Sequence, residues 1–117
     1  MPPRRTIAAG RFLHLVEEGG WEFAERRNAS GVVAVVAVTP DNRLLLTRQR
    51  RTAVGTEVID LPAGLAGDDP GAAGERLEQA ARRELVEETG WDAERFERLT
   101  AGPPSPGLSS EIVALYR

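Results

Sequence analysis

Arg83-Glu84-Leu85-Val86-Glu87-Glu88-Thr89-Gly90-Trp91 closes the stretch that decides how this chain folds, a stretch that opens at Leu61-Pro62-Ala63-Gly64. At about 100° per residue, a helix puts Leu77, Ala80, Ala81, Glu84 and Glu88 on one stripe, with Glu87 beside it. The first half of that stripe has the character of a core face. Its last turn carries three acids at i, i+3 and i+4. Like charges at that spacing cost roughly 0.2–0.5 kcal/mol per pair, and they sit at the helix end whose dipole already repels anions. Burying them costs more unless something compensates. A divalent cation would do so. Clustered carboxylate oxygens, with no Cys and one distant His, suit a hard ion such as Mg²⁺, with Mn²⁺ as the alternative, and not Zn²⁺. The competing reading of the same spacing is a solvated acidic helix end.

At 117 residues the chain has room for one domain and one core. With 41% hydrophobic and 28% charged residues, it falls among ordinary globular proteins. No stretch approaches the roughly 18 apolar residues of a membrane span, and Met1-Pro2-Pro3-Arg4-Arg5 is not followed by a signal-peptide apolar region, so the expected location is the cytoplasm with no membrane partner. The absence of Cys removes disulfides and thiolate chemistry. A net charge of -3 argues against a nucleic-acid polymer as partner. Every basic side chain is Arg, which excludes Schiff-base and Walker-type lysine mechanisms. A phosphate ligand would have to be held by Arg, backbone amides or metal.

Read along the chain, Arg11 to Glu17 and Trp21 to Arg26 form a hairpin around Gly19-Gly20. Val32 to Val38 is continuously apolar and predicts a central strand buried on both faces. Thr39-Pro40-Asp41-Asn42 turns, and Arg43 to Arg48 returns as a strand. Thr52 to Gly55 is loop and Glu57 to Leu61 a short strand. The helix is expected to begin between Asp69 and Gly74, with Asp69-Pro70 as cap and first position, and to end at Glu88 before Gly90. Phe96 to Thr100 reads as a strand, Gly102 to Ser110 as a Pro/Gly/Ser loop, and Glu111 to Arg117 as a strand. No internal repeat is visible. The pattern predicts an α/β (α+β) domain with a mixed sheet under helical cover.

The stretch 61–91 resembles the Nudix box, G-x5-E-x7-R-E-U-x-E-E-x-G-U, where U is bulky and apolar. Glu75, Arg83-Glu84-Leu85, Glu87-Glu88, Gly90 and Trp91 match in register. The box glycine should stand six residues before Glu75, where this chain has Asp69; its counterpart is Gly64, which requires five extra residues within Leu65 to Gly74. Rich in Gly, Asp and Pro, that insertion either lengthens a surface loop or reshapes the wall of the site. The resemblance implies one Nudix domain over 1–117, an α/β/α sandwich with an N-terminal hairpin element in 1–30. It also implies a shortened C-terminus, because family members usually continue with another strand and helix. A trimmed domain, a layer supplied by a partner subunit and an incomplete natural product remain open.

Within the family, the chain is similar to ADP-ribose pyrophosphatases. Arg48-Gln49-Arg50-Arg51 is similar to their Arg-Gln-x-Arg strand end, and Asp60-Leu61-Pro62-Ala63-Gly64 resembles their Glu-Leu-Pro-Ala-Gly. Ser105-Pro106-Gly107 with Glu111 looks like their Ser-Pro-Gly-x-x-x-Glu loop, with Pro106 fifteen residues beyond Trp91. Gly10-Arg11-Phe12-Leu13 and Trp21-Glu22 are similar to the hairpin that dimerises and covers adenine. Carried over residue by residue, the likeness makes Glu84, Glu88 and the carbonyl of Ala63 metal ligands. Glu87 is a further ligand or water activator, and Glu111 the candidate general base. Arg83 and Glu75 would pair structurally, with Gly64 and Gly90 shaping the box. Arg51 would grip phosphate through its guanidinium fork, against the alternative of a solvated Arg after a strand. Arg11, Glu22 and Trp21 would contact substrate, although a hairpin Trp equally serves an interface or core. His14 carries no functional reading, and Asp60 is one methylene shorter than the family's Glu.

The resemblance therefore implies a Mg²⁺-dependent hydrolase of nucleoside diphosphate derivatives, splitting ADP-ribose into AMP and ribose 5-phosphate, and forming a homodimer. Divalent ions would lower the pKa of a bound water, and charge developing at phosphorus would face metal and Arg. Other nucleotides as substrate, either a nucleoside triphosphate or a nucleotide sugar, and a non-catalytic nucleotide-binding module are the alternatives.

Overall fold

The computed structural model describes residues 3–27, 31–67 and 76–117. Its N-terminal part is an antiparallel meander of β1 (Arg4–Ala9), β2 (Leu13–Glu18) and β3 (Trp21–Arg26). The expected hairpin is β2–β3, turned by Gly19 and Gly20 at φ 59° and 86°. Both angles lie in the left-handed region that two-residue hairpin turns require and that glycine adopts without strain. Strand β1 was not legible: all six of its residues are exposed, so its sequence lacks the alternation of a half-buried strand.

The core belongs to a second, mixed sheet with strand order β7-β4-β9-β8. Its centre is β4 (Gly31–Val35), antiparallel to β7 (Ala63–Ala66) and parallel to β9 (Val113–Tyr116); β8 (Arg98–Gly102) is antiparallel to β9. Val33, Ala34 and Val35 are buried in succession, as expected of a strand covered on both faces. The strand ends at Val35, short of the predicted Val38, which is 56% exposed.

Three expectations are corrected around this sheet. Arg43 to Arg48 is not a strand: one isolated bridge joins Val38 to Leu44, and the paired segment is β5 (Thr47–Arg51), antiparallel to β6 (Thr56–Asp60) across a 3-10 turn at Thr52–Val54. Of the three leucines only Leu45 packs on the core, while Leu44 and Leu46 are exposed. Leu65 and Ala66 belong to β7 instead of the inserted loop, of which 68–74 lies outside the described residues. Finally, the helix α1 (Leu77–Thr89) begins later than Gly74. Arg76 is still extended, at φ -73° and ψ 151°, and its amide donates to Gln79 Oε1 at 3.0 Å, which closes the first turn. The expected Asp69-Pro70 cap lies outside the described residues.

Helix α1 lays Ala80, Ala81 and Leu85 on the sheet, where they join Val33, Val35, Ala66, Ala114 and Tyr116 in one buried cluster. Alanines let the helix come close to the strands beneath it. Gly90, at φ 77°, ends the helix and donates its amide to Val86 O. The mixed α+β class is as predicted, with α1 as the one α-helical layer among the described residues. The chain's principal extents are 51 × 33 × 26 Å.

Candidate functional site

Gly64 lies on β7 directly beneath the last turns of α1. A Cβ at that position would fall on the carboxylate of Glu84, so only glycine admits this approach. Glu84 is accordingly drawn inward, its side chain 12% exposed, whereas Glu87, three residues on, is 56% exposed. Glu88 points the same way as Glu84. One of its oxygens accepts from the Ala63 amide and from Gln49 Nε2 on β5, both at 3.4 Å. The register of β5 puts Gln49 and Arg51 on one face, and Arg51 acts electrostatically on Glu88.

Burial sets the proton affinity of both inward acids. Desolvation pushes Glu84 above the ordinary carboxylate range; Arg83 opposes this by charge and hydrogen bond, while Glu87 and Glu88 add to it. Glu88 is likewise raised by desolvation, against the Ala63 amide, Arg51 and Gln49. The two are anions whose charge the surrounding protein does not fully compensate. Their all-oxygen donor set fits a hard divalent cation. Among the described residues, however, no three acids or histidines stand together around one point. Arg83 bridges Glu84 and Glu87 at 3.0 and 3.3 Å and also donates to Leu65 O at 3.0 Å, so the guanidinium spans the helix and β7. The expected Arg83–Glu75 pair cannot be placed, because Glu75 lies outside the described residues.

Glu111 is found elsewhere. It forms an ion pair with Arg26 of β3, in a cleft of about 700 Å³ between the meander and the loop before β9. Ser105, Leu108 and Ala53 also line it. Ala53 belongs to the 3-10 turn that follows Arg51. Trp21, Glu22 and Arg11 are not brought to the acids within this chain: Trp21 is 76% exposed beside the hairpin turn, Glu22 faces Glu17 across the strands, and Arg11 stacks over the Phe12 ring at 5.2 Å. Two side chains bonded to the expected site residues were not singled out in the sequence. Gln49 was detectable as the residue two before Arg51 on a strand; Arg26 carried no local signal, since its partner is 85 residues away.

The NUDIX domain family matches residues 28–116. A methanol dehydrogenase activator of Bacillus methanolicus is 38% identical over 88 residues, which span 74% of this chain and 44% of that protein. An ADP-ribose pyrophosphatase of Bacillus subtilis is 37% identical over 86 residues, with the same two shares. An ADP-ribose pyrophosphatase of Mycobacterium tuberculosis is 36% identical over 86 residues, 74% of this chain and 40% of that one. The chain thus spans less than half the length of these relatives. A solved ADP compounds hydrolase superposes with a TM-score of 0.73 over 97% of this chain and 63% of its own, at 24% identity, a likeness of fold.

Proposed function

This chain belongs to the NUDIX domain family, and from that premise we propose that it hydrolyses the diphosphate linkage of a nucleoside diphosphate derivative, ADP-ribose first among them. The observation that carries the reading is the pair of inward, incompletely compensated carboxylates, Glu84 and Glu88, packed against Gly64 and Ala63 with Arg51 nearby. Two relatives named ADP-ribose pyrophosphatase support the choice of substrate.

In this reading Glu84 and Glu88, with the Ala63 carbonyl and then Glu87, would hold Mg²⁺, or Mn²⁺ in its place. Bound there, the ion would supply neutralisation of the diphosphate and a more acidic bound water. Gln49 fixes the rotamer of Glu88, and Arg51 meets the phosphate oxygens with two parallel donors. A carboxylate, Glu87 or Glu111, takes the proton of the attacking water, whose oxygen bonds to phosphorus as the bridging P–O bond breaks. AMP and ribose 5-phosphate leave. Trp21, Glu22 and Arg11 are exposed on the meander, where a second copy of the chain would bring them to a neighbouring site as a homodimer.

The test is AMP release from ADP-ribose beside a panel of nucleotides, with and without Mg²⁺. Metal-dependent release abolished by Glu84→Gln is expected; ADP-ribose binding without turnover under any metal overturns the reading. That second outcome would favour a non-catalytic nucleotide-binding module, for which the bridging of Glu84 and Glu87 by Arg83 is the supporting observation. Turnover of another nucleotide alone would keep the chemistry and replace the substrate.

A further inference from the structure

Strand β3 is sewn to the loop that carries Glu111. Ala24 donates its amide to Leu108 O at 2.8 Å and accepts from the Ser110 amide at 3.1 Å. Side chains continue the seam on both sides. Ser110 Oγ donates to Glu25 Oε2 at 3.3 Å, the same oxygen that takes Arg4 Nη1 at 2.6 Å, and Arg26 pairs with Glu111. Within the loop, Leu108 and Ser109 donate to Ser105 O and Glu111 donates to Ser109 Oγ. The loop is thus held between its flanking strands β8 and β9 and a strand that precedes the residues matched by the family.

We infer that Arg26 is a positioning residue: through its ion pair it fixes the Glu111 carboxylate in the lining of the cleft, so that the N-terminal meander sets the competence of the loop. The inference rests on the proposed hydrolysis for its kinetic part and on the seam alone for its structural part. Arg26 and Glu111 are 42% and 20% exposed, and a pair at that exposure adds little to overall stability, so Arg26 can be changed without unfolding the chain. A carboxylate that loses a charged partner regains rotamers, and misplacement of a reacting group by about 1 Å can cost up to ~100-fold in rate.

The test combines kinetics with amide hydrogen exchange on Arg26→Ala, Arg26→Lys, Glu111→Gln and the double variant Arg26→Ala/Glu111→Gln. Arg26→Ala is expected to lower kcat ~10-fold or more with KM changed less than ~2-fold, and Arg26→Lys to recover part of that. In the Glu111→Gln background, Arg26→Ala should cost nothing further. Exchange of the Ser110 and Ala24 amides should quicken in Arg26→Ala while the core strands stay protected. Additive losses in the double variant, full activity in Glu111→Gln, or unchanged exchange at the seam each overturn the inference. Should the unaltered protein hydrolyse nothing, the functional reading has failed and the exchange data alone decide whether Arg26 organises the loop.

Discussion

Gly64 and Glu84 occupy one space: the missing side chain of the first is where the carboxylate of the second sits. Gly64→Ala should therefore push Glu84 out of place and cut metal-dependent turnover by ~10-fold or more. Gly31 is the control. A Cβ there would meet Leu77 Cδ2 at 2.8 Å, the far end of a flexible side chain, and Gly31→Ala should fold and turn over normally. Steady-state kinetics on the two variants separates a site effect from a general intolerance of added volume.

Glu84→Gln should stabilise the metal-free protein near neutral pH. The folded-state pKa of Glu84 is raised above 4.5, so its protonated form is the one that folding favours. That contribution is complete below 4.5 and is lost as the pH rises through the folded value. Melting curves in chelator should give the variant the higher Tm at pH 7 and converge with the unaltered protein in acid. Added Mg²⁺ should raise the Tm of the unaltered protein and leave the variant where it was.

Arg51→Ala should raise KM about tenfold through the loss of a charge-assisted phosphate contact. Arg51 also lowers the proton affinity of Glu88. Its removal raises that affinity further, so the pH at which Mg²⁺ binding is half-developed should move upward. Calorimetric titration of the ion at several pH values reads the shift directly.

Leu85→Ala tests the core beneath the site. Leu85 is 1% exposed between α1 and the sheet, and truncation should cost about 2–5 kcal/mol, a large share of a domain's usual ~5–15 kcal/mol. Urea unfolding should show a lower midpoint at unchanged slope.

Self-association is expected through the meander, where Ile7, Phe12, Leu15 and Trp21 are all exposed. Light scattering at micromolar concentration should report a dimer, and Trp21→Ala should move the population toward monomer. A monodisperse monomer at every concentration would refute the proposed exchange of substrate contacts between copies.

What could be read from the sequence followed from short-range periodicity. The stripe from Leu77 to Glu88 and the stop at Gly90 located α1 and its end, though not its start, and the unbroken apolar run located β4. Errors arose where identity and environment part company. Leu44-Leu45-Leu46 reads as a core strand, yet one of the three packs inward. Leu65 and Ala66 read as the start of the Gly-, Asp- and Pro-rich insertion, yet they belong to the strand that brings Gly64 under Glu84. Arg76, a good helix former, stays extended because Gln79 receives its amide. For the site, spacing along a helix placed Glu84 and Glu88 together, while the attachment of Glu111 to Arg26 is a tertiary fact with no trace in either neighbourhood.

Strand β9 lies inside its sheet, between β4 and β8, and runs parallel to β4. During synthesis β4 emerges early and waits for a neighbour encoded far downstream. In that interval the nascent chain offers a bare valine-rich edge, the kind of surface that pairs with other chains as readily as with its own. Only the arrival of Val113 to Tyr116 closes that edge.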